Sequence, residues 1–312
     1  MTLQELIARH AHKAEHGVPD WMPGFWKRYS ISFANGMTDL HTHVCWMQSR
    51  NFTIDLRLPL EKDQVPAKAL NEYSLDELQV LANYEGWKAP SLWDGNQLFW
   101  GDTAATLQLH NRWPEPAVLW RTGNSMIEHC PSNIYMEDWR LQTSAPGVLV
   151  GLHLIEEREV SSGKLRQRGG GLIVCGDYAA LTLGRVEQPV SNKLFKTLVA
   201  EAGQDLQQLQ ALFNFETSVA IAAPDGGYKV MLSTQPARVG SELFPLTGFE
   251  VLPDQRVRQT LVLDGLACER LFEIDTIESN VAYAQSTPAP TAAQAWFERE
   301  TTTLGRYLEV LT

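Results

Sequence analysis

Asp55 and Arg57 stand two residues apart in Phe52-Thr53-Ile54-Asp55-Leu56-Arg57-Leu58, where apolar and polar residues alternate strictly until Pro59. A period of two is that of a β-strand, so Thr53, Asp55 and Arg57 share one face and the apolar residues share the other. The same alternation predicts Trp26 and Arg28 on one face of an earlier strand, and Tyr135, Glu137 and Trp139 on one face of a later one. Glu128 follows Ser125-Met126-Ile127 shortly before. If these faces turn inward, two arginines and three carboxylates share one interior, and they must be paired because each unpaired buried ion costs several kcal/mol. Such a set can fix the polar head of a bound molecule. It can also do acid–base work: burial raises the pKa of a carboxyl, which makes Glu128, Glu137 and Asp55 candidate general acids or bases, with an arginine to stabilise an enolate or carboxylate. If the faces turn outward, the same residues form exposed cross-strand pairs worth well under about 1 kcal/mol each. The alternation does not choose between the two.

Nine of the ten tryptophans lie in the first 139 residues, and only Trp296 falls beyond them. An indole buries on the order of 200 Å², so core packing accounts for many of them. Nine exceed what a small barrel ordinarily needs, and some become candidates to line a cavity for an apolar or aromatic ligand. The candidate ligand contacts are Trp26, Arg28, Trp46, Arg57, Trp100, Tyr135 and Trp139. His41 and His43 form an HxH whose period of two adds Asp39 and Cys45 to the same face, the residue types of a metal site. No matching downstream motif completes it, so no metal is expected, His41 and His43 being the residues that would hold one. No cofactor is implied. Arg168-Gly169-Gly170-Gly171 lacks a following GK[ST] and reads as a hairpin turn, and Ser125 lies in no GxSxG elbow.

Around these residues the chain reads as strands. After an amphipathic helix within 2–17, strands are expected at 26–33, 40–48 and 52–58, the first pair joined through Asn35-Gly36. Ser74, with Glu77 three residues on, caps a helix over 75–84. Short β-type runs follow at 97–101, 103–112, 117–121, 125–130, 135–142, 148–157 and 172–183. Two helices, 191–202 and 205–212, break at Gly203, and strands resume at 215–222, 228–234, 248–252, 256–263 and 267–275. A linker over 286–290 leads to a helix over 291–311. About fourteen strands exceed the eight to ten of one small barrel, which predicts a mainly β chain of two antiparallel β-barrels with a few peripheral helices. The expected division is an N-terminal helix over 1–20, a Trp-rich barrel over 21–145, and a second barrel over 146–312 that carries the helical insertion and the C-terminal helix.

The 312 residues include 26 Lys and Arg against 37 Asp and Glu, a net charge of −11, and 44% are hydrophobic. That composition supports a large core and excludes a disordered chain. It also argues against nucleic acid as a partner, since phosphate-backbone binders need clustered cations. Cys45, Cys130, Cys175 and Cys268 lie far apart and read as reduced thiols. No signal-peptide core and no run of about 18 to 20 apolar residues occurs, so a cytoplasmic protein with no membrane partner is expected. The oligomeric state stays open, a homodimer included.

Trp26-Lys27-Arg28, Val44-Cys45-Trp46-Met47-Gln48 and Phe52 through Asp55-Leu56-Arg57-Leu58-Pro59 resemble the opening of a lipocalin-like family of largely uncharacterised bacterial and fungal proteins. Glu85-Gly86, Met126-Ile127-Glu128, Tyr135-Met136-Glu137-Asp138-Trp139, Gly176-Asp177-Tyr178 and Ser233-Thr234-Gln235-Pro236-Ala237-Arg238 extend the resemblance over roughly residues 21 to 275. It implies two lipocalin-like, or calycin, antiparallel barrels and brings no established activity or cofactor. His41 and His43 depart from the pattern, which has small polar residues there. Lipocalin-like proteins include binders of hydrophobic small molecules, haem carriers and cofactor-independent hydratases, decarboxylases and cyclases. His153 is the nearest residue to a haem ligand, and it is not expected to serve as one. The first functional expectation is binding of a small apolar or aromatic molecule with a polar head in the N-terminal barrel. The second is a cofactor-independent lyase or isomerase using a buried carboxylate, and the third a protein-interaction module.

Overall fold

The computed structural model describes residues 1–312 apart from 103–104, 111–112, 225 and 309–312. Part of the strand expected over 103–112 and the end of the helix expected over 291–311 therefore lie outside the described residues. The first sheet comprises β1 (Gly24–Phe33), β2 (Thr38–Asp39), β3 (Thr42–Gln48), β4 (Phe52–Pro59), β5 (Glu85–Trp93), β6 (Gln97–Trp100), β7 (Ala105–Thr106), β8 (Ala117–Thr122), β9 (Ser125–His129) and β10 (Tyr135–Leu141). β1, β3, β4, β5, β6, β8, β9 and β10 pair antiparallel in that order, and β10 returns to β1 from Trp26↔Leu141 to Phe33↔Tyr135, closing a ring of eight. β2 and β7 pair only at the margin, with β1 and β5.

The ring's closing seam contains a register shift between Arg28 and Ser30, where exposed Tyr29 is the extra residue. A bulge moves the side-chain alternation by one position. Trp26 and Arg28 therefore face the interior before it, and Ile31 and Phe33 face it after it.

The second antiparallel unit comprises β11 (Gly147–Glu159), β12 (Leu165–Arg168), β13 (Gly170–Cys175), β14 (Tyr178–Leu183), β15 (Glu216–Ala222), β16 (Tyr228–Ser233), β17 (Phe249–Leu252), β18 (Arg256–Leu263) and β19 (Leu266–Val281). Its order runs β16-β15-β14-β13-β11-β19-β18-β17, with β12 on β11, so strand pairing leaves β16 and β17 as its two edges. Residues 240–243 return along the β16 edge through Gly240 and Leu243 amides. One face of this sheet packs an aliphatic core around Val150, Leu152, Leu172, Leu181 and Phe272. Helix α1 (Leu3–Arg9), begun by the Thr2/Glu5 capping box, adds Leu3, Leu6 and Ile7 to that core.

The strict alternation of 52–58 explains how the two units meet. Phe52, Ile54, Leu56 and Leu58 turn away from the ring and pack with Ile173, Ala180 and Val219 of the second sheet and with Phe215 just before β15. Each such side chain contributes about 2 kcal/mol by burial. The polar residues between them are thereby turned into the ring. Helices α2 (Leu75–Leu81), α3 (Phe195–Ala202) and α4 (Leu206–Phe213) cover the same seam with Leu78, Leu81, Phe195 and Leu209. The C-terminal helix α5 (Thr291–Leu304) buries no residue. Among the described residues no helix is long and apolar enough to cross a membrane.

Candidate functional site

Thr53, Asp55 and Arg57 of β4 project into the ring, as do Trp46 of β3, Glu128 of β9, and Tyr135, Glu137 and Trp139 of β10. The faces that the sequence leaves undecided thus turn inward. Asp55, Glu128, Glu137, Trp46, Arg57, Trp100, Tyr135 and Trp139 line one void. Of the remaining candidates, Arg28 lines the groove next to it and Trp26 packs 6.3 Å from Trp46, its cross-strand partner, with the Trp26 Nε1–H donated to Met22 O at 2.9 Å.

The indoles meet edge to face: Trp46 lies 5.4 Å from Trp139 and 6.2 Å from Trp100, and Trp87 lies 6.3 Å from Trp100. Such contacts favour dense packing. The expected hollow interior is accordingly filled, and the void measures about 10 Å³, room for about one water. Above it the ring opens into a groove of about 640 Å³ lined by Arg28, Asp39, Arg57, Tyr84, Glu85 and Trp113. Arg57 and Trp113 line both spaces, so they form the floor of the groove and the roof of the void.

The charges are paired along this axis. Arg28 bridges two carboxylates, donating Nη1–H to Glu137 Oε1 and Nη2–H to Asp39 Oδ2, both at 2.7 Å. Arg57 donates Nε–H to Asp55 Oδ1 at 2.9 Å, and its guanidinium lies 4.0 Å from the centre of the Trp113 ring. Trp139 Nε1–H reaches Glu128 Oε2 at 3.0 Å, and Trp113 Nε1–H reaches Glu85 Oε1 at 3.1 Å. Glu128 and Glu137 are direct cross-strand neighbours in the β9–β10 register. Below them Gln48 Oε1 gathers donors from Trp46 at 3.0 Å and Ser91 at 3.2 Å. Of the three buried donors without an acceptor among the described residues, two, Arg57 Nη1 and Trp100 Nε1, belong to side chains that line this void, and the third, Arg258 Nε, lies on β18 of the other unit.

Burial, with Glu137 opposite, holds the Glu128 carboxyl well above the ordinary carboxylate range. Burial also pushes Asp55 up to about 6, against the pull of Arg57. For both groups the folded state binds its proton more tightly than the unfolded chain does. Their contribution to stability is therefore full below the unfolded carboxyl pKa and is lost as the pH rises through the folded value. For Asp55 the window runs from about pH 4 to above 6 and the loss is about 3 kcal/mol. Glu128→Gln keeps an oxygen for the Trp139 Nε1–H and removes its own share of that loss. Unfolding followed in urea from pH 5 to pH 9 should give the variant a flatter alkaline decline than the parent chain. An equal decline in both would show that Glu128 is already ionised in the fold.

Several members of the site carry no clear mark in the sequence. Glu85, Trp87 and Ser91 lie on β5, and Pro90 in the same segment disguises it, since proline is depleted within strands. Trp113 precedes β8 in an irregular segment where alternation gives no signal. The histidines are corrected in detail: β3 begins at Thr42, so His41 lies outside the strand and is exposed. His43 Nε2 lies 2.9 Å from Glu61 Oε1, while Cys45 points into the core between the units. Asp39 is engaged by Arg28, so the four residues do not converge. Among the described residues no group of three or more His, Cys, Asp or Glu is placed to hold a metal ion. His153 rests against the Phe52 ring at 4.3 Å, and burial lowers it to about 4, with Lys88 acting in the same direction.

No family model matches the chain, and no curated protein matches it. A search of solved structures gives the crystal structure of the uncharacterized protein YLR301w from Saccharomyces cerevisiae, 14% identical, covering 82% of this chain and 99% of that one with a TM-score of 0.45. The closed antiparallel ring of eight is consistent with a calycin-like barrel by its own strand order, each main strand pairing with the next along the chain.

Proposed function

We propose that the open end of the eight-stranded ring binds a small, largely apolar or aromatic molecule whose polar head points down the barrel axis. The observation that carries this reading is the pair of buried N–H donors without acceptors, Arg57 Nη1 and Trp100 Nε1, on side chains that line a single void. A buried donor left unpaired costs about 1 to 3 kcal/mol, so two in one place mark a position where an acceptor belongs. The groove above offers Ile31, Phe33, Leu58, Val80 and Trp113 to the body of the molecule, and its volume suits a small organic ligand. Arg57 joins the two spaces, so a ligand lying in the groove meets its guanidinium without unpacking the indoles beneath.

Titration with phenylnaphthylamine, an uncharged aromatic fluorophore, tests this. Saturable energy transfer from tryptophan is expected, and Trp113→Ala should weaken it about tenfold by removing the ring that walls the groove. Absence of saturation, or saturation indifferent to Trp113→Ala, removes the groove as the binding place.

A second reading rests on Glu128 and Asp55. Two carboxyls with different proton affinities beside an arginine are the components of an acid–base pair, which suits a cofactor-independent lyase or isomerase. On that reading Glu128→Gln retains binding and abolishes turnover.

A further inference from the structure

The ligand head can be specified further, and the specification rests on the binding reading above. We infer that the site selects an uncharged head with one oxygen acceptor, such as a ketone or amide carbonyl, and rejects carboxylates, although an arginine forms its floor.

Size is the first ground. The void of about 10 Å³ holds one oxygen-sized group, so the head places a single acceptor oxygen there and whatever else its carbon carries stays outside. Donor supply is the second. Arg57 has already given Nε–H to Asp55, which leaves Nη1 as its unpartnered buried donor and removes the parallel fork that normally grips a carboxylate. The remaining donor, Trp100 Nε1–H, is neutral and single.

Charge is the third ground. Around the void and the inner groove stand Asp39, Asp55 and Glu137 against Arg28 and Arg57, with Glu128 holding its proton, among the described residues. Lys196 and Asp63 at the exposed rim offset each other. Both inner arginines are engaged by carboxylates of the chain itself. Among the described residues an incoming anion therefore finds no uncompensated cation and meets like charges, and in a partly desolvated site such repulsion is weakly screened. A neutral carbonyl oxygen accepts from Arg57 Nη1 or Trp100 Nε1 and adds no charge.

The experiment uses two matched probes, benzylacetone and hydrocinnamate, which share a phenyl ring on a short chain and end in a methyl ketone and a carboxylate. Each is titrated into the full chain while the indole N–H signals are followed by nitrogen–proton correlation spectroscopy, the Trp100 signal being assigned by its absence in Trp100→Phe. The expected result is saturable binding of benzylacetone with a shift of the Trp100 Nε1–H signal, and affinity for hydrocinnamate lower by about tenfold or more. Trp100→Phe, which keeps an aromatic ring and removes the donor, should weaken benzylacetone about fivefold. Equal or tighter binding of hydrocinnamate overturns the inference and leaves the binding reading standing. So does ketone binding with an unmoved Trp100 signal, or binding of phenylnaphthylamine with neither probe bound. If none of the three compounds saturates, the binding reading falls and the inference falls with it.

Discussion

Arg28→Met should lower the free energy of unfolding by about 3 to 5 kcal/mol, the usual loss when one partner of a buried ion pair is removed. The Arg28 side chain is 4% exposed and Glu137 is 2% exposed, so water does not replace the lost partner at Glu137. Asp39, 31% exposed, loses less. The position adds to the effect, because Arg28 lies at the bulge on the β1–β10 seam that closes the ring, and Glu137 faces Glu128 across the next pairing. Without the guanidinium, two carboxyl groups face each other in the interior, and among the described residues Arg57 is the cation that lines the void. Urea unfolding at pH 7 measures the loss, and three comparisons fix its origin. Arg28→Lys should fall between the parent and Arg28→Met, since an ammonium cannot repeat the planar fork that spans Glu137 and Asp39. Adding Glu137→Gln to Arg28→Met should recover about 2 kcal/mol by removing the stranded charge. The penalty should also shrink as the pH falls and the stranded carboxylates take up protons. A loss of under about 1 kcal/mol, the value of an exposed pair, would show that this end of the ring is wet.

That pair illustrates what the sequence makes legible and what it hides. Alternation in 52–58 and 135–139 identifies Asp55, Arg57, Glu137 and Trp139 as sharing strand faces, because a period of two needs only neighbouring residues. Ser74 with Glu77 marks the start of α2 for the same reason, and Asp205 accepts the Gln208 amide at the start of α4. Which face turns inward is set by the second unit. In an isolated strand Phe52, Ile54, Leu56 and Leu58 would be expected inside. Here a second sheet covers them, and the polar face takes the barrel interior instead. The size of the interior is hidden too: nine tryptophans in one half are compatible with a lined cavity or a filled one, and the edge-to-face arrangement of Trp46, Trp100 and Trp139 fills it. The bulge at Tyr29 and the proline in β5 break local rules at places where the ring's geometry overrides them.

The contact that holds the two units in register is of the hidden kind, and its loss should have the other large effect. Asp275 of β19 accepts from Ser49 Oγ at 2.5 Å, from the amides of Arg50 and Asn51 at 3.1 and 3.3 Å, and from Asn51 Nδ2 at 2.9 Å. One carboxylate thus satisfies the β3–β4 turn of the other unit, across more than 220 residues of chain that no spacing rule could bridge. Gly151 permits the approach, since a Cβ there would collide with the Ser49 hydroxyl. Arg50 reinforces it by gripping Glu278 with Nε–H and Nη2–H at 2.7 and 2.8 Å. Asp275→Ala removes the acceptor and leaves the donors of this turn buried and unpaired, which should cost about 3 to 4 kcal/mol. Asp275→Asn keeps one acceptor oxygen and should lose roughly half as much. Because β3 and β4 also carry Trp46, Asp55 and Arg57, loosening their turn should let the ring breathe before the second unit unfolds. Hydrogen exchange would then show faster exchange at β3 and β4 amides in Asp275→Ala, while β13 and β14 keep their protection. Uniform acceleration in both units would instead mean that they unfold as one cooperative body, with Asp275 contributing to the whole rather than to the turn it clasps.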